Sequence, residues 1–229
     1  MIRAFVPAIP NPGESLLLDR EERRHARSAR RSRDGDPIEL LDGAGRVALA
    51  HLEDDASRAR IEAIEDALPP PDIALAVAVA RGERFDSLVE KGTELGIASI
   101  EPIVCARSIP LRGRSRLERW RRVSVAAAKQ SRQPWLPRIA APAPLGSVIG
   151  DGRLLIALDP EGEKVPIPEV LALPPLRLVI GPEGGFDDSE RALFAASGAR
   201  MVSLPTAILR VETAALVAAV LALHALGRA

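Results

Sequence analysis

Leu176-Arg177-Leu178-Val179-Ile180-Gly181-Pro182-Glu183-Gly184-Gly185 decides the fold. Five mostly apolar residues read as a buried strand, and Gly-Pro ends it at once. Three glycines let the backbone approach a ligand closely or take positive φ, while Pro182 stiffens the turn. Two residues on, Asp187 and Glu190 have the spacing of a capping box; they open a helix over residues 189–196 that Gly198 closes. The same rhythm extends to both sides. Residues 73–80, 99–104, 154–158 and 201–204 read as strands, and residues 85–95, 117–130 and about 212–226 as helices. Strands alternating with helices imply a mostly parallel α/β sheet covered on both faces. Ligands bind such sheets at loops leaving the carboxyl ends of the strands. Besides residues 181–185, two more loops qualify: Asp159-Pro160-Glu161-Gly162 and Pro205-Thr206-Ala207-Ile208-Leu209-Arg210.

Upstream the pattern changes at Leu68-Pro69-Pro70-Pro71-Asp72, where three prolines suit neither helix interior nor central strand. The chain is therefore divided into residues 1–70 and 71–229. In the first part, short apolar stretches at 38–41, 47–52 and 59–64 are punctuated by Asp34-Gly35-Asp36-Pro37 and Asp42-Gly43-Ala44-Gly45, which suggests a small β-barrel or sheet. There is no internal repeat, and residues 142–144 and 166–175 read as surface loops.

The 229 residues carry 31 Lys and Arg against 31 Asp and Glu, and 47% are apolar. That is ample for a packed core and argues against disorder. The zero net charge hides segregation: residues 20–33 sum to +5, residues 34–66 to −7 and residues 107–138 to +9. A single basic block is usually a solvated face, but two in one balanced chain favour a polyanion surface. Arginine outnumbers lysine 28 to three, a bias that GC-rich coding alone can produce. A lone Cys105 excludes an intrachain disulfide, and without Cys/His clusters no metal is expected. The first residues lack a basic-then-apolar signal pattern and no apolar run reaches the length of a membrane span, so a cytoplasmic protein without membrane association is expected. Residues 181–185 match neither GxGxxG nor a phosphate loop. His25, His51 and His224 lie too far apart in the chain to argue a triad and read as structural, and Cys105 as a buried thiol.

Gly181-Pro182-Glu183-Gly184-Gly185, Leu204 and Ile208-Leu209-Arg210-Val211-Glu212-Thr213-Ala214 together resemble the paired C-terminal signature of the bacterial 16S ribosomal RNA uridine-N3 methyltransferases, the RsmE family of the SPOUT superfamily. Lys91-Gly92-Thr93-Glu94-Leu95-Gly96, Arg107-Ser108, Arg119-Trp120 and Ala127-Ala128-Lys129-Gln130-Ser131 fit the same family. The first part, with His25 and Gly35-Asp36, is similar to that family's PUA-like RNA-binding β-barrel. The resemblance implies a SPOUT α/β domain with a deep trefoil knot, formed where the C-terminal stretch tucks through a loop. It also implies S-adenosylmethionine bound in a bent form among the three loops, with Leu158, Gly181, Glu183, Gly184, Gly185, Leu204, Ile208 and Leu209 lining its pocket. The partner implied is 16S ribosomal RNA of the small ribosomal subunit, and the assembly a homodimer in which the helix over residues 213–226 packs.

Methyl transfer to N3 of uridine requires removal of a proton and in-line presentation of the ring to a sulfonium methyl. Arg210 is the candidate to stabilise charge developing on the ring, and Glu212 its orienter or a helix N-terminal charge. Arg24, Arg27, Arg30 and Arg31 from the first domain, and Arg112, Arg114, Arg116 and Arg132 from the second basic block, are candidates for holding RNA phosphates. With four Phe, two Trp and no Tyr, a stacking platform is not expected; Trp120 reads as core and Trp135 as the more exposed. The chain departs from the family pattern at Gln133, Pro205, Ala207 and Val211, where Arg, Gly, Arg and Thr are usual. Two alternatives therefore stay open: a divergent protein that binds RNA without turnover, and an enzyme that methylates another RNA.

Overall fold

The computed structural model describes residues 1–28, 33–79, 83–108, 116–164 and 175–228. They fall into two compact units, Met1–Pro69 with Val125–Leu136, and Pro70–Ser124 with Pro137–Ala229. The first unit thus takes in a segment that the division at the proline run assigns to the second.

In the first unit β1 (Ile2–Phe5), β2 (Ser15–Leu17), β3 (Pro37–Leu41), β4 (Arg46–Glu53) and β5 (Arg58–Asp66) form one sheet in the order β1-β3-β4-β5-β2. Only the β1 to β3 pairing is parallel. Along β4 burial alternates, with Ala48, Ala50 and Leu52 inward, as expected of a sheet with one covered face. The block that begins at Arg20 forms helix α1 (Arg20–Ser28), capped by Asp19, whose Oδ1 accepts the Glu22 amide at 2.8 Å. Apolar periodicity cannot reveal this helix, because over residues 20–27 only Ala26 and Glu22 are buried on it. Glu22 accepts the Phe5 amide, and both its oxygens lie 2.7 Å from Lys129 Nζ. Arg3 donates to the carbonyls of Lys129 and Gln130, and Leu136 N to Gly43 O. These bonds are why Val125–Leu136 belongs to this unit.

In the second unit β6 (Ile73–Ala78), β7 (Ser99–Val104), β8 (Arg138–Ile139), β9 (Ala143–Pro144), β10 (Leu154–Glu163), β11 (Leu176–Ile180) and β12 (Arg200–Val202) form a sheet in which every pairing is parallel. The order is β12-β10-β11-β6-β7-β8, with β9 also on β7. Helices α2 (Arg84–Glu94), α3 (Arg116–Ser131, its first turns in this unit), α4 (Asp188–Ala196) and α5 (Val211–Ala225) complete it. Alternation along β6 separates two cores: Ile73, Leu75 and Val77 pack with Trp120, Ala215 and Ala222, while Ala76 and Ala78 pack with Phe186 and Phe194. The helices and strands expected from the sequence thus match the doubly covered sheet, with boundaries moved by at most two residues except in β10; the two-residue β8 and β9 are additions, and β9 replaces part of the surface loop expected over residues 142–144. There Leu158 and Glu163 both partner Val202, so residues 159–162 bulge out and the strand resumes. Gly162 sits in that bulge; a Cβ on it would lie 2.7 Å from Val202 N and 2.8 Å from Met201 O. No helix among the described residues is long and apolar enough to cross a membrane.

Arg177 is the unusual residue in the central strand. It is 5% exposed, and its Nε and Nη2 lie 2.8 Å from Glu101 Oε2 and Asp151 Oδ2 respectively. Its Nη1 donates to Val148 O, so every nitrogen of the guanidinium has a partner.

Candidate active site

The carboxyl ends of β10, β11 and β12 deliver three loops to one cavity of about 930 Å³. From the first come Leu158, Asp159, Pro160 and Lys164; from the second Ile180, Gly181, Pro182, Glu183, Gly185 and Phe186; from the third the run 203–209, followed by Val211 and Ala214 of α5. Ser203 N donates to Glu163 O at 2.9 Å, which ties the third loop to the end of the β10 bulge.

The glycine loop is a tight turn, with Gly185 N donating to Pro182 O at 2.8 Å and Gly185 at φ +71°. Gly181 has a different reason to be glycine: a Cβ there would meet the Phe186 ring at 2.9 Å, so its requirement is packing rather than ligand approach. Gly184 lies under Arg107, whose Nη1 donates to Gly184 O at 2.7 Å. The capping box of α4 is present in both directions, Glu190 N to Asp187 Oδ1 and Asp187 N to Glu190 Oε2, each at 2.9 Å. The Glu190 amide, then the Ser189 hydroxyl, holds the Asp187 carboxyl below its ordinary range. Glu190 Oε1 also accepts the Ala106 amide, and burial, followed by the nearby Glu190 charge, pushes the Cys105 thiol up to about 12. Cys105 is therefore an inert buried thiol rather than a nucleophile.

Of the eight residues assigned to cofactor by resemblance, Leu158, Gly181, Glu183, Gly185, Leu204, Ile208 and Leu209 line the cavity; Gly184 faces Arg107 instead. Arg210 caps α5 through its backbone with an exposed side chain outside the lining, and Ala214 N donates to its carbonyl at 2.8 Å. Glu212, in the first turn of α5, is 15% exposed in its side chain; its Oε2 is buried without a hydrogen-bond partner and its Oε1 lies 4.0 Å from Arg84 Nε. Arg84 Nη1 also approaches Glu183 Oε1 at 3.4 Å. Sequence reasoning missed Arg84 and Lys164, and it placed Asp159 in a candidate ligand loop without giving it a role.

Among the phosphate candidates, Arg24 is exposed and Arg27 is paired with Asp55 at 2.6 Å. Arg116 is half-buried at the start of α3, and Arg132, at φ +62°, lies 3.8 Å from Glu39. Arg30, Arg31, Arg112 and Arg114 lie outside the described residues. Trp120 is in the core, its ring 4.5 Å from that of Phe85. Trp135 is half-buried, with its ring against Gly45 and its Nε1 donating to Ala67 O.

A parallel sheet with a glycine-loop cavity at its carboxyl edge, in a chain that also forms a small separate sheet, defines a class. The RNA methyltransferase domain model matches residues 68–223, and the RNA methyltransferase PUA domain model matches residues 18–65. Within that class the chain belongs to the ribosomal RNA small subunit methyltransferase E family. It is 33% identical to the Aquifex aeolicus protein of that name over 88% of this chain and 91% of the other, and 34% identical to that of Synechocystis over 82% and 66%. The solved structure of a ribosomal RNA small subunit methyltransferase E from Neisseria gonorrhoeae bound to S-adenosyl methionine superposes with a TM-score of 0.87, at 26% identity, over 98% of this chain and 97% of that one. The fold is thus the SPOUT α/β fold with a PUA domain.

Proposed function

We propose that the protein transfers the methyl group of S-adenosylmethionine to N3 of a uridine in 16S ribosomal RNA of the small subunit. The observation that carries this reading is the convergence of three strand-end loops on one cavity with both apolar walls and charged groups. Leu158, Ile180, Leu204 and Leu209 suit a nucleobase, while Asp159, Lys164, Glu183 and Ser203 suit polar groups, so the residues present fit the cofactor. When bound, it would supply an electrophilic methyl group on a sulfonium. The chain's own residues must hold the uridine, shed its N3 proton and exclude water.

In this reading Arg210, exposed at the cavity's edge, meets the developing charge on the ring, and Glu212 orients the start of α5. The first domain, residues 1–70, holds RNA through Arg24 and its basic neighbours, and residues 71–229 form the knotted, dimerising transfer domain. The exposed side of α5, with Val220 41% exposed, and the 89% exposed Ile208 on the cavity loop are apolar surfaces suited to a second copy in a homodimer. A cytoplasmic location follows from the ribosomal substrate. Gln133 and Ala207, which put no cation where the family pattern has arginine, favour a second reading: a protein that retains RNA and cofactor without turnover.

Calorimetry with S-adenosylmethionine, combined with methyl incorporation into small subunits or their RNA, tests the proposal. Binding with incorporation is expected. Binding of both ligands without incorporation would establish the second reading, and no binding by folded protein would sink both.

A further inference from the structure

We propose that Asp159 and Lys164 clamp the amino-acid end of the cofactor, Asp159 accepting from the α-ammonium and Lys164 facing the α-carboxylate. This rests on the cofactor reading above. Asp159 is 3% exposed and yet lines the cavity. Its Oδ1 accepts the Glu161 amide at 2.9 Å, which fixes the side chain. Its Oδ2 is buried without a hydrogen-bond donor: Arg191 Nη2 stands 2.9 Å away, but no N–H is directed at the oxygen. A buried carboxylate oxygen left without a donor is unfavourable, and a ligand that brings one relieves the penalty. The other carboxylate in the lining, Glu183, is exposed to water and carries no such penalty.

Lys164 makes no ion pair among the described residues and is exposed on the same cavity wall. The bulge of β10 explains why two residues five apart serve one ligand. Because Leu158 and Glu163 pair with the same Val202, the chain returns to its starting point, and the residue after each lands at the cavity. One cavity wall therefore presents a buried carboxylate oxygen that lacks a donor, although Arg191 stands beside it, and a cation with no ion pair among the described residues, an arrangement suited to a zwitterion. Neutral hydroxyl and amine donors on the ribose and adenine would satisfy Asp159 hydrogen bonding but would leave Lys164 without a counterpart; the α-amino acid engages both charges.

The discriminating ligand is 5′-methylthioadenosine, which keeps adenine, ribose and sulfur and lacks the amino-acid carbons. Calorimetry would compare it with S-adenosylmethionine and S-adenosylhomocysteine on the wild type, Asp159→Asn and Lys164→Met. We expect each variant to lose about tenfold or more in affinity for the two amino-acid ligands while binding methylthioadenosine within about twofold of wild type. Equal losses for all three ligands, or no loss for any, would overturn the clamp. Should Asp159→Asn fail to fold, Lys164→Met, at an exposed position, decides on its own. A wild-type protein that binds none of the three would refute the cofactor reading itself, which is a separate outcome.

Discussion

At Gly181 a single hydrogen atom separates a working loop from a blocked one, because the Phe186 ring occupies the space a Cβ would take. Gly181→Ala should destabilise the protein by about 1–3 kcal/mol through overpacking, read by denaturant unfolding, and should weaken cofactor binding as the loop shifts. Arg177 poses the opposite problem, a buried charge with all its partners inside the protein. Arg177→Met should cost about 3–5 kcal/mol, since Glu101 would be left buried with only the Ser99 hydroxyl at 3.3 Å and Arg138 at 3.8 Å; a loss below about 1 kcal/mol would mean that these or water replace it. Cys105, with its thiol pushed up to about 12, should resist alkylation at pH 8 in the folded protein and react on unfolding. The sequence marks Gly181 as special because glycine in such a loop has few other uses. It does not mark Asp159, whose importance comes from burial and an unfilled lone pair, neither of which has a sequence signature.

The strand and helix that flank the glycine loop were legible because each carries a local signal: apolar runs for β11, and Asp187 with Glu190 for α4. That cap predicts a pH dependence. Asp187 titrates below its unfolded value, so its contribution is fully present above the unfolded carboxylate range and fades as pH falls through the lower folded value. Asp187→Asn keeps a capping side chain without the charge. The melting-temperature gap between wild type and Asp187→Asn should therefore be constant near neutrality and shrink in acid, whereas a gap independent of pH would contradict it. Elements held by long-range contacts were not legible. The short β1 and β2 have too few residues to show a period, and α1 turns a charged face outward and buries a carboxylate. The assignment of Val125–Leu136 to the first unit depends on Lys129 meeting Glu22, residues 107 positions apart in sequence. Lys129 is therefore engaged within the fold and is not a free cation for RNA.

Across the whole chain, the zero net charge is not a neutral surface. In the first unit many of the acidic residues between 34 and 66 are absorbed by nearby arginines, with Asp55 beside Arg27, Asp66 beside Arg46, and Glu53 beside Arg60. Arg24 is left exposed, and affinity for RNA should fall steeply with salt if phosphates are what it and its neighbours hold. The apolar exposed side of α5 and Ile208 should disappear into a dimer, which light scattering at micromolar concentration would detect as twice the 24.4 kDa chain mass. The most direct measurement is mass-spectrometric mapping of small-subunit RNA after incubation with the protein and S-adenosylmethionine. One uridine carrying a single methyl on N3 is the predicted result; unmodified RNA in the presence of folded, cofactor-bound protein, or a methyl on any other base, would contradict it.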